Sequence, residues 1–75
     1  MNQFAKNLKY YREITGRTQR EMAELLGIAT NAYQRYEHGV REPKIDALIL
    51  IADTLNISLD RLVGRDFHEE DVDES

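Results

Sequence analysis

Residues 19–38 read QREMAELLGIATNAYQRYEH, and the placement of small, apolar and polar residues in this stretch decides how the chain folds. Counting Gln19 as the first position, Ala23 falls fifth, a small side chain where two helix backbones must approach closely. Gly27 falls ninth, where a turn favours a left-handed backbone that other residues reach only at a steric cost. Met22, Leu26, Ile28, Tyr33 and Tyr36 fill the positions that point into a shared core, while Thr30, Asn31, Gln34 and Arg35 share an outward face. The pattern predicts two short helices crossing at a fixed angle, the second one presenting a polar face.

Working outward, Thr18 and Glu21 have the spacing of a capping box, in which the hydroxyl accepts from the third backbone N–H and the carboxylate reaches back. This predicts a helix over residues 18–26, closed by Gly27, and another over 29–37 that stops at His38-Gly39. Upstream, Phe4, Leu8 and Tyr11 recur at helical spacing, predicting a helix over 2–15 with Asn2 as its cap and Gly16 at its end. Downstream, Pro43 suits a first helical turn, and Ile45, Leu48, Ile49, Ala52 and Leu55 predict a helix over 44–55. Ser58 caps a short fifth helix over 59–64, ending at Gly64. No strand alternation persists, so the fold class is all-α.

Seventy-five residues suit one domain, read here as residues 1–65 followed by an acidic tail, 66–75. A chain this short buries only ~60% of its unfolded surface, so the core is thin. It has no cysteine, which excludes disulfides and thiolate metal sites. No apolar run approaches the roughly 20 residues of a membrane span and no signal-peptide pattern opens the chain, so a cytoplasmic protein is expected. The net charge of −4 is unevenly spread. Asp66, Glu69, Glu70, Asp71, Asp73 and Glu74 make the tail −6, whereas residues 1–65 carry ten basic residues against eight acids and are mildly basic at +2. The local field matters for a polyanionic partner, and the whole-chain charge misleads.

A pair of short helices with this glycine turn is a device for laying a helix in the DNA major groove. The stretch from Leu8 to Gly64 resembles the phage repressor/Cro-type helix-turn-helix family, also called the XRE family. The resemblance is carried by Leu8, Lys9 and Arg12 before Gly16, then Thr18, Gln19, Glu21, Met22, Ala23, Leu26, Gly27 and Ile28. It continues through Tyr36, Glu37, Gly39, Arg41, Glu42 and Pro43 to Leu55-Asn56-Ile57-Ser58-Leu59-Asp60. It implies a compact five-helix bundle, a lambda repressor-like domain, that binds operator DNA as a homodimer in a bacterial or phage setting.

The residue chemistry on the third helix suits base readout. Asn31 and Gln34 can pair bidentately with adenine, Arg35 with guanine, and the Thr30 methyl can touch thymine. The resemblance puts Thr30, Asn31 and Arg35 at the principal base-reading positions, with Gln34 a less certain contact to base or backbone. It implies that Gln19 binds a phosphate and braces the recognition helix with Thr30 as its neighbour, and that Arg12 and Glu37 form a structural ion pair. It further implies that Arg41, with the backbone around Gly39 and Val40, grips phosphate. Arg17 and Arg20 are placed to reach flanking phosphates from the other side, while Lys6, Lys9 and Lys44 read as solvated charges.

The chain departs from the family pattern at five positions. Ala29 stands where a serine usually caps the third helix, leaving Thr30 as the alternative cap; Lys44 replaces another such serine. Arg17 stands where an apolar residue is common while Ile14 is apolar where relatives are polar, which reads as a compensating swap. Leu50 lies on the face where relatives carry lysine. Dimer contacts are expected between Asn56 and Phe67, with Ile57, Leu59 and Val63 as the apolar candidates; each apolar residue there equally suits the interior, which is where Leu59 and Leu62 are expected. With no separate oligomerisation domain in the sequence, the alternative to a stable homodimer is a free monomer that pairs only on DNA. His38 and His68 form no metal site, and no cofactor or small-molecule pattern occurs. With no nucleophile–base pair or phosphate loop either, the chain does not read as an enzyme. The alternative function is a protein-interaction module or antitoxin on the same fold, which has no need of groove-compatible side chains flanked by arginine.

Overall fold

Capping and turn residues divide the chain into five helices in the computed structural model, which describes residues 2–64: α1 (Asn2–Ile14), α2 (Gln19–Leu26), α3 (Thr30–Glu37), α4 (Ile45–Leu55) and α5 (Leu59–Val63). No strand occurs among the described residues, and none of their helices is long and apolar enough to cross a membrane. The acidic tail, with Phe67 and His68, lies outside the described residues.

The capping box forms as expected: Thr18 Oγ1 accepts from the Glu21 N–H at 3.0 Å and Glu21 Oε1 accepts from the Thr18 N–H at 2.8 Å. At the other end of α2, Gly27 adopts φ +71°, and the Ile28 N–H turns back to the Ala23 carbonyl at 3.0 Å. This closure satisfies a carbonyl that the helix end would orphan and sets the angle at which α3 leaves. The same six-residue loop recurs behind Asn56, where the Ile57 N–H meets the Ala52 carbonyl at 3.0 Å. A Cβ on Gly27 would meet nothing within 4 Å, so alanine there costs only backbone strain. Gly27→Ala is therefore expected to lose about 1–2 kcal/mol in urea unfolding; an unchanged midpoint would show that the turn tolerates a side chain.

Every helix contributes to the interior. Phe4 and Leu8 come from α1, Met22 and Ala23 from α2, Tyr33 from α3, Leu48, Ile51, Ala52 and Leu55 from α4, and Leu62 from α5. Each large apolar side chain buried in this way contributes about 1.5–3 kcal/mol. Ala23 is 1% exposed where α2 packs on α3, and its small side chain permits that approach. Helix α1 packs on α3 and α5, and α4 closes against α2 and α5. Leu26, Ile28, Tyr36, Ile57, Leu59 and Val63 are half-buried around this core.

Four local expectations are corrected. The buried stripe of α4 runs Leu48, Ile51, Ala52, Leu55, whereas Ile45 and Ile49 are 60% and 44% exposed. Five of the first seven residues of α4 are large and apolar, so periodicity alone does not orient the helix. Pro43 is buried ahead of the helix, with Lys44 as an N-cap that makes no side-chain bond. Asn2 is already the first residue of α1 rather than its cap. Ile14 and Arg17 do not exchange roles: Ile14 is 60% exposed, and half-buried Arg17 donates from Nη1 to the Thr54 carbonyl at 3.2 Å. The long arginine stem covers apolar surface while its head finds the C-terminal end of α4.

Helix α5 has only five residues, and α1 supplies what it lacks. Asn7 Nδ2 donates to the carbonyls of Arg61 at 3.0 Å and Leu62 at 3.4 Å, occupying acceptors that a single helical turn cannot satisfy itself.

Candidate nucleic-acid interface

The end of α3 is anchored by a buried charge cluster. Arg12 on α1 donates from Nε to Glu37 Oε2 and from Nη2 to Glu37 Oε1, the second bond measuring 3.3 Å. The remaining nitrogen, Nη1, donates to the Arg17 carbonyl at 2.8 Å, which ties the turn before α2 into the same cluster. Tyr33, one helical turn before Glu37, donates its hydroxyl to Glu37 Oε2 at 2.6 Å. Burial alone would raise the Glu37 carboxyl, but hydrogen bonds from Arg12, Tyr33 and Gln19 and the Arg12 charge outweigh it and hold the group below its ordinary 4.5. Burial pushes the Tyr33 phenol upward, and its bond to Glu37 adds to this; the Glu37 hydrogen bond likewise raises the Arg12 guanidinium. Because the folded Glu37 value is depressed, its stabilisation is present above pH 4.5 and is lost as pH falls through the folded value. Carboxyl-carbon NMR of Glu37 should accordingly give a midpoint below 4.5, and a midpoint above it would contradict this pairing.

From this cluster a polar chain runs to the surface of α3. Gln19, at the start of α2, donates from Nε2 to Glu37 Oε1 at 3.0 Å and accepts at Oε1 from Gln34 Nε2 at 3.0 Å. The neighbour of Gln19 is therefore Gln34, not Thr30. The physical reason is reach: Gln34 stands one turn further along α3, nearer the carboxylate that holds Gln19. Thr30 does not become the cap of α3 either; Ala29 holds that position with extended backbone and no side-chain bond. Thr30 is half-buried, and Asn31 and Arg35 are exposed. None of these three side chains makes a hydrogen bond with a described residue. Asn31 and Arg35 lie on the side of α3 away from the buried Tyr33 and Glu37, while Thr30, seven residues before Glu37, flanks the buried side.

The flanks differ in part from expectation. The N–H groups of Gly39, Val40 and Arg41 donate to the carbonyls of Tyr36 at 3.2 Å and Arg35 at 3.0 and 3.3 Å. This closure of α3 consumes the backbone donors assigned to phosphate, leaving the exposed Arg41 side chain as the group this loop offers. Exposed Arg20 pairs loosely with Glu24 at 3.6 Å, a surface contact of little energy that does not hold it back from an anion. Arg17 is drawn off to Thr54, so it leaves the anion-facing set. His38 ends α3 as its C-cap. Asn56 is exposed and adopts φ +58° to close α4, while Ile57 and Val63 lean on the core and Phe67 is outside the described residues.

A helix-turn-helix family model matches residues 8–62, spanning α2, the glycine turn and α3 together with the helices that brace them. The chain belongs to the helix-turn-helix family. It is 43% identical over 67 residues to the uncharacterized HTH-type transcriptional regulator YqaE of Bacillus subtilis, covering 89% of this chain and 58% of that protein. It is 40% identical over 60 residues to the cryptic phage CTXphi transcriptional repressor RstR of Vibrio cholerae, covering 80% of this chain and 54% of that one. In three dimensions it is similar to a transcriptional regulator from Listeria innocua, with a TM-score of 0.78, 31% identity, and coverage of 96% of this chain and 70% of that chain. The chain spans little more than half the length of these two sequence relatives. The helix-turn-helix family is one of regulators, not an enzyme class.

Within this helix-turn-helix, the ion pair of Arg12 and Glu37 is the one that the resemblance implies. The Tyr33 hydroxyl and the Gln19–Gln34 bond are not foreseen. Tyr33 and Glu37 stand four apart on one helix, a spacing at which side chains meet, and that signal was available. The Gln19–Gln34 bond crosses between helices, so no local spacing announces it.

Proposed function

We propose that this chain binds double-stranded DNA sequence-specifically as a transcriptional repressor, with α3 in the major groove of a near-palindromic operator. The observation that carries this reading is the exposed pair Asn31 and Arg35, with Thr30 at the start of the same helix, whose side chains bond to no described residue. Buried polar groups lock the helix behind them, so the readers are presented on a rigid element. Asn31 matches the donor and acceptor edge of adenine and Arg35 the two acceptors of guanine. Arg41, Arg20 and the N-terminal turn of α2 at Gln19 supply phosphate contacts that position the helix without reading sequence. Two chains pair through the region of Asn56, Ile57 and Val63, setting their recognition helices about 34 Å apart. The site of action is the cytoplasm, on the nucleoid when bound.

Fluorescence anisotropy with a labelled duplex across salt concentrations tests the reading. Log affinity should fall linearly with log salt, and Arg41→Ala should reduce the slope by about 1 while weakening all duplexes alike. Absence of binding at low salt, or binding indifferent to salt, would overturn it.

A further inference from the structure

We propose that the hydrogen-bond relay from Glu37 through Gln19 to Gln34 locks the Gln34 amide with its carbonyl outward and so makes Gln34 an adenine reader. This rests on the proposed DNA binding and goes further, to the base class read at one position. The starting point is chemical. An ionised carboxylate accepts hydrogen bonds and donates none, and Glu37 is held ionised by Arg12. Gln19 must therefore turn its NH2 toward Glu37, and its Nε2 lies 3.0 Å from Glu37 Oε1. That orientation leaves Gln19 Oε1 facing Gln34, which in turn must present its own NH2, at 3.0 Å. Flipping either amide would set two oxygens against each other in a half-buried place, so the sense of both is dictated from the buried end.

What Gln34 has left is its Oε1 acceptor and one N–H. In the major groove, adenine offers a donor at N6 beside an acceptor at N7, and the remaining groups match both. Guanine shows two acceptors, N7 and O6, and would need both N–H groups, one of which is already spent on Gln19. Thymine O4 and cytosine N4 can each take one bond only. Gln19 is thus a positioning residue for base choice: its amide transmits the fixed polarity of Glu37 to the surface. A free glutamine at position 34 would turn either way and discriminate poorly.

The test uses the full chain and duplexes selected from a random pool, followed by competition among all four base pairs at each motif position. Gln34→Ala identifies the position that Gln34 reads, because preference there should flatten to within about twofold while other positions keep theirs. At that position the unaltered chain should favour adenine at least about fivefold. Gln19→Met keeps the length of the side chain and removes the relay, and should reduce the adenine preference to less than half. Any change in its overall affinity from a lost phosphate contact would cancel in the ratio between duplexes. A guanine or thymine preference, an adenine preference untouched in Gln19→Met, or no position altered in Gln34→Ala would overturn this inference while leaving DNA binding intact. An unaltered chain that selects no motif would overturn the DNA-binding reading and this inference with it.

Discussion

Glu37→Ala is expected to cost about 3–5 kcal/mol of folding free energy, because it leaves the Arg12 guanidinium buried without its counter-charge. Arg12 is 9% exposed and Glu37 is 8% exposed, so water cannot replace either partner cheaply. The same change strands the buried Tyr33 hydroxyl, whose acceptor among the described residues is Glu37. A domain of this length holds roughly 4–11 kcal/mol in all, so the variant should sit near its unfolding threshold at room temperature. Replacing the whole cluster is a different matter. Arg12→Met, Tyr33→Phe and Glu37→Leu together remove the buried charges and hydroxyl, leaving only the part-buried Arg17 carbonyl and Gln19 amide to find new partners, and should recover most of the lost stability. Urea unfolding of both variants checks this. A single-variant loss under about 0.5 kcal/mol would mean a pair that water already screens.

The second large effect concerns DNA. Arg35→Ala should weaken binding to the preferred duplex by about 1–3 kcal/mol and relax selectivity at one base pair, where guanine loses a bidentate partner. The fold should be untouched, since Arg35 is exposed and its side chain bonds to no described residue. Competition binding with single-base-pair variants of the operator reads both quantities. Equal losses on every duplex would make Arg35 a phosphate contact and remove it from the reading set.

Much of this architecture is legible in the residues because local chemistry and tertiary packing agree. The capping box at Thr18 and Glu21, the glycine at 27 and the cap at Ser58 each announce a helix end, and the helices begin or stop within two residues of those marks. Helix α4 resists such reading: with Ile45, Leu48, Ile49, Leu50 and Ile51 in sequence, only its packing partners select Leu48 and Ile51 for the interior. At the candidate interface, the ion pair of Arg12 and Glu37 is visible through resemblance, since nothing in local spacing links residues 25 apart. The phosphate role foreseen for the Gly39 and Val40 backbone fails for a reason that spacing does not reveal, namely that closing α3 uses those N–H groups. The partner of Gln34, Gln19, lies on another helix, and a bond across helices becomes visible only when the helices are placed.

Selecting bound duplexes from a randomised pool with the full chain is the most direct measurement. If α3 is a groove reader carried on a symmetric pair, the pool should converge on inverted half-sites whose centres lie about one DNA turn, 34 Å, apart. A pool that stays random through repeated rounds, with binding retained, would mean that Thr30, Asn31 and Arg35 do not read bases.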